Sequence, residues 1–172
     1  MHHFGFVTSK CKFPNAGSTE AAALGLERWL EAASEADGGP ESEPGLARFA
    51  EAALDDPLGR QVLESIFGNS PYLTSSILKD PEFTRRLLDG GPDGAFAQIL
   101  KSLDPDQAQS LDDEGLSHVL RVAKRRMALS VALADMAGVW PLEKITHALS
   151  DFADKTLGLA VRHVLRQGAE EQ

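Results

Sequence analysis

An all-α fold of about eight helices is predicted by three observations on this sequence. Apolar residues recur at spacings of three and four through most of the chain, the period of one helix face. No segment shows the strict alternation of a half-buried strand. Capping side chains followed by proline recur at Asp56-Pro57, Ser70-Pro71 and Asp80-Pro81, the signature of helix starts. These starts are separated by 14 and then 10 residues, so they are no solenoid period.

Taken in order, residues 1–17 carry no usable periodicity and are expected to be a flexible N-terminus. His2 and His3 lack a further ligand nearby and do not make a metal site. Residues 18–172 are expected to form one helical domain. Its first helix, 19–36, is capped by Ser18 or Thr19 and has Leu24, Trp29, Leu30 and Ala33 on its apolar side. Residues 37–44, with two glycines, two prolines and three acidic residues, read as a linker. Helices are then expected over 44–54, 57–67, 71–79 and 81–88. Asp89-Gly90-Gly91-Pro92 stops the last of these, and a further helix over 93–103 ends before Asp104-Pro105-Asp106, which reads as a turn.

The chain closes on a predicted antiparallel hairpin of two long helices, 112–137 and 141–167. In the first, Leu116, Leu120, Ala123, Met127, Ser130, Ala134 and Ala137 share a face, and Asp112, Asp113 and Glu114 suit its positive end. Only Ser130 and Asp135 interrupt the apolar residues from Met127 to Ala137, so this half is expected to be enclosed. Gly138 ends it, Trp140 sits in the connection as a structural residue, and Pro141 starts the second helix. There Leu142, Ile145, Leu149, Phe152, Thr156 and Leu159 mark the apolar face, and Asp151 and Lys155 form an exposed pair. Gly158 in mid-helix costs about 1 kcal/mol against alanine, which predicts a close neighbour there. A connection this short makes the helices antiparallel.

Composition narrows the class. The chain has 172 residues, enough for one well-buried domain, and its apolar and charged fractions of 42% and 25% are ordinary for a globular protein. A net charge of −9 argues against nucleic-acid or membrane-surface binding. No apolar run approaches the length of about 20 residues needed to cross a bilayer. A single cysteine, Cys11, excludes an internal disulfide and suits the cytoplasm.

Candidate chemistry is sparse. Arg121, Lys124, Arg125 and Arg126 form the main charge cluster, which reads first as a solvated face or one ion-paired to acidic side chains of the earlier helices, with a phosphate or carboxylate patch as the alternative. Asp135 lies near a helix C-terminus, where negative charge is disfavoured, so its carboxylate is expected to accept from the amides of residues 142–144. His118, His147 and His163 lack metal-ligand spacing, and no serine sits in a nucleophile-elbow turn. Gly38-Gly39 and Gly90-Gly91 extend into no phosphate-binding loop. The residues themselves supply no catalytic, cofactor-binding or metal position.

Several blocks carry a resemblance: Phe67-Gly68-Asn69-Ser70-Pro71-Tyr72-Leu73, Leu78-Lys79-Asp80-Pro81, Leu120-Arg121-Val122-Ala123-Lys124-Arg125-Arg126, Ala132-Leu133-Ala134-Asp135-Met136-Ala137-Gly138-Val139-Trp140 and Leu149-Ser150-Asp151-Phe152-Ala153-Asp154. In this order they resemble the helical N-terminal region of the bacterial bifunctional glutamine synthetase adenylyltransferase/adenylyl-removing enzyme family. The resemblance covers residues 54–165. It implies a scaffold preceding a nucleotidyltransferase domain, whose Gly-Gly pair and Asp-x-Asp strand hold magnesium and ATP or AMP. The chain ends about where that domain is expected, so no catalytic residue carries over. It also implies glutamine synthetase as target, the PII signal protein as regulator, and no turnover by this chain alone. The alternative is a free-standing helical interaction or dimerisation module.

Overall fold

The computed structural model describes residues 6–7, 11–37 and 45–170. Eight helices and no strand occur among them: α1 (Thr19–Ala36), α2 (Leu46–Asp55), α3 (Pro57–Phe67), α4 (Pro71–Lys79), α5 (Pro81–Ser102), α6 (Pro105–Ala108), α7 (Asp113–Met136) and α8 (Leu142–Glu170). His2, His3 and most of the expected linker, residues 38–44, lie outside the described residues.

Side chains set most of the starts. Ser18, Asp56, Ser70, Asp80, Asp104 and Asp112 each accept from an amide in the first turn of the helix that follows. Pro57, Pro71, Pro81 and Pro105 occupy first positions, where a missing N–H costs nothing. The expected turn at Asp104-Pro105 is thus the start of a one-turn helix. The break expected at 89–92 is a kink within α5, where Gly91 is non-helical at φ 77°. Gly138, at φ 64°, ends α7.

α2 has a different cap. Asp37, just past the end of α1, accepts from the amides of Gly45, Leu46 and Ala47 at 3.0–3.2 Å. These amides, Ala47 first, hold the Asp37 carboxyl below the usual carboxylate range.

One hydrophobic core runs through the molecule. Trp29 and Ala33 of α1 share it with Leu46 and Phe49 of α2, Val62, Leu63 and Ile66 of α3, Ile77 of α4, and Phe83, Leu87 and Leu88 of α5. The helices α1 and α3 cross where a Cβ on Gly25 would lie 2.4 Å from the Phe67 ring, so only glycine fits. Part of segment 1–17, expected to be a loose end, is laced to α3. Phe13 is buried, and the Asn69 amide accepts from Gly17 N and donates to Asn15 O.

The helix α7 lies along α5 and buries Met127, Leu129, Ser130, Leu133 and Ala134, so its second half is enclosed as its composition predicts. The helix α8 meets α7 near residues 140–145 and again where His163 reaches Asp113. Its buried face is Ile145, Ala148, Leu159 and His163, with Phe152 half-buried. Leu142 and Leu149, expected on that face, are exposed. No ion pair joins Asp151 to Lys155 among the described residues; Lys155 is half-buried.

Candidate functional site

The expected basic face on α7 divides in two. Arg121 and Lys124 are exposed. Arg125 and Arg126 turn toward Asp80 at the α4–α5 junction. Arg126 Nε donates to Asp80 Oδ2 at 2.7 Å, and Arg125 Nη2 lies 3.8 Å from the same oxygen. Asp80 Oδ1 accepts from Phe83 N at 3.2 Å, and the Arg126 guanidinium stands 5.0 Å from the Phe83 ring centroid. The carboxylate therefore caps α5 with one oxygen and neutralises α7 arginines with the other. Half of the basic cluster is committed to holding helices together, which leaves Arg121 and Lys124 facing solvent.

A second polar cluster joins the start of α7 to the end of α8. His163, 7% exposed, places Nε2 2.6 Å from Asp113 Oδ1, and Arg166 Nη2 lies 3.1 Å from His163 Nδ1. The imidazole thus bridges the carboxylate and the guanidinium through its two ring nitrogens, and Gln167 Nε2 also lies 3.2 Å from Nε2. Arg166 also donates to the carbonyls of Gln109 and Leu111. His163 and then Gln167 hold the Asp113 carboxyl below its ordinary value. Beside this cluster lies a cavity of about 320 Å³ lined by Pro105, Ala108, Leu159 and Arg162, among others. Nothing in the sequence announces the cluster, because its two halves stand 50 residues apart.

The other singled-out residues fall as follows. Trp140 is buried, edge-on to Phe96 at 5.9 Å, with Lys144 Nζ 5.0 Å from its ring and paired to Asp93. It fastens the α7–α8 connection to the second half of α5. Asp135 is exposed, and among the described residues no hydrogen bond joins its carboxylate to the start of α8. The amides of Lys144 and Ile145 bond to Pro141 O instead, so the expected compensation is absent. At Gly158 a Cβ would meet nothing within 4 Å, against the expected close neighbour. Among the described residues no group of three or more His, Cys, Asp or Glu could hold a metal ion. Likewise, no described helix is long and apolar enough to cross a membrane.

The family model for glutamate-ammonia ligase adenylyltransferase matches residues 60–172. The chain belongs to the glutamate-ammonia ligase adenylyltransferase family. Its curated relatives include proteins named bifunctional glutamine synthetase adenylyltransferase/adenylyl-removing enzyme. That of Rhodopseudomonas palustris is 35% identical over 146 residues, 85% of this chain and 14% of the relative. That of Bradyrhizobium diazoefficiens is 36% identical over 129 residues, 75% of this chain and 13% of the relative. A third, from Caulobacter vibrioides, is 33% identical over 138 residues. The chain thus spans about one-seventh of the length of these adenylyltransferase relatives. No solved structure matches it.

Proposed function

We propose that this chain is a helical scaffold portion of an enzyme that attaches AMP to glutamine synthetase and removes it, and that it has no turnover by itself. One observation carries the reading. Within the family-matched segment, α8 buries one face against α7 and leaves a second apolar face open, as a support for further protein would. The names of the relatives supply the reaction and glutamine synthetase as its target. The PII signal protein as regulator follows from the family resemblance alone, and the cytoplasm as compartment follows from that resemblance and the single cysteine, Cys11. Magnesium and the nucleotide fall to a nucleotidyltransferase domain of the longer family proteins, with no ligand from these helices.

Purified residues 1–172 are expected to give no AMP transfer to glutamine synthetase and no phosphorolytic release from its adenylylated form. Turnover in either direction would overturn the scaffold reading. The same open face also favours a free-standing interaction or dimerisation module, which a chain that sediments as a stable dimer would support.

A further inference from the structure

Six of the nine exposed large hydrophobic side chains among the described residues lie on α8: Leu142, Leu149, Leu157, Val161, Val164 and Leu165. The first five fall within an arc of about 120° at the helical period, turned about 130° from the buried face. Leu142, Leu157 and Val164 are 63–70% exposed, well beyond a scatter of half-covered side chains. Glu143 and Asp154, both exposed, border this stripe on the side away from α7.

We infer that the stripe is the docking face for an apolar helix with a basic margin, supplied by the part of the family's longer proteins that lies outside the segment matching this chain. The inference rests on the proposed function and names what covers the open face. All six residues lie inside the family-matched span of 60–172. The relatives carry about six-sevenths of their length outside the match, ample polypeptide in those proteins to supply such a helix. Charge argues against an antiparallel second copy as occupant, since pairing centred on the stripe, near residue 154, sets Asp154 beside its counterpart. A basic margin on the occupant removes that repulsion.

The test mixes purified residues 1–172 with the Rhodopseudomonas palustris relative lacking the residues that match this chain. Binding is read by calorimetry, for wild type and for Leu157→Asp with Val164→Asp. Both positions are exposed, so the variant keeps its helical circular dichroism. The expected result is binding by wild type and at least a tenfold weaker interaction for the variant. Equal binding by both, or binding by neither, overturns the inference, as does a wild-type dimer that the substitutions dissociate. Should the truncated relative be insoluble, a chimera carrying this chain in place of the matched segment decides instead. In Leu157→Cys combined with Cys11→Ser, the introduced thiol is expected to react with a maleimide at least tenfold slower in the chimera than in residues 1–172, and equal rates overturn the inference. AMP transfer is scored separately. Binding without transfer would retire the proposed function and leave the docking face standing, while transfer that ignores the substitutions would do the reverse.

Discussion

Asp80 and Arg126 stand 46 residues apart in sequence, and a 2.7 Å bond joins them in the fold. Because the same carboxylate caps α5, Asp80 serves two helices at once. Asp80→Ala removes a cap, worth about 1 kcal/mol, and strands part-buried arginines, which costs about 1–2 kcal/mol more. Urea unfolding should therefore show a loss of about 2–3 kcal/mol. Asp80→Asn keeps an oxygen for the Phe83 amide but no carboxylate for the arginines, so it should lose about 1–2 kcal/mol. Equal losses in the two variants would mean that the cap contributes nothing.

Two glycines predict opposite outcomes for one substitution. At Gly25 a Cβ would drive into the root of the Phe67 side chain, so Gly25→Ala should destabilise by about 2 kcal/mol despite better helix propensity. At Gly158 a Cβ meets open space, so Gly158→Ala should stabilise by about 0.5–1 kcal/mol. Chemical denaturation of the two variants beside wild type reads both signs.

The depressed Asp37 carboxyl makes its cap pH-dependent. A carboxylate whose folded value lies below its unfolded value of 3.8 contributes stability above that value and loses it as pH falls through the folded one. Asp37→Ala should accordingly lower Tm at pH 6, with the gap to wild type closing as both are taken toward pH 2. A gap that persists undiminished in acid would show that the carboxylate charge is irrelevant to the cap.

Trp140 is buried, and its indole N–H finds no acceptor among the described residues. Its worth therefore lies in ring area against Phe96 and Lys144. Trp140→Phe is expected to cost less than about 1.5 kcal/mol and Trp140→Ala about 3–5 kcal/mol, measured by thermal or urea unfolding.

Helix starts were legible because a cap is a local device: the side chain and the amide it receives lie within three residues of each other. The same signature stands at Asp104-Pro105, where the proline that suggests a turn in fact opens the one-turn α6. On α8, Ile145 and Leu159 are buried as expected, while Leu142 and Leu149 were misjudged for a physical reason. Leucines and valines lie on two of its sides, and periodicity cannot say which side has a neighbour. Compensation of a carboxylate by the amides of the next helix was a sound idea at the wrong place, found at Asp37 and missing at Asp135. Ion pairing of the basic face with an earlier helix was foreseen, but its partner Asp80 and the whole Asp113–His163 cluster were not, because these residues meet only through tertiary structure. Family membership was readable in the blocks between residues 67 and 154, all inside the matched span.

Anchors at both ends of α8 set its register. Trp140 and Lys144 clamp the start to α5, while His163 and Arg166 clamp the finish to the segment that opens α7. A one-turn ratchet of about 5.4 Å along α7 would have to break both clamps together, with no halfway position that keeps either. The outward surface of α8 is thus indexed to the rest of the molecule, and anything that grips it finds the same residues at the same height each time.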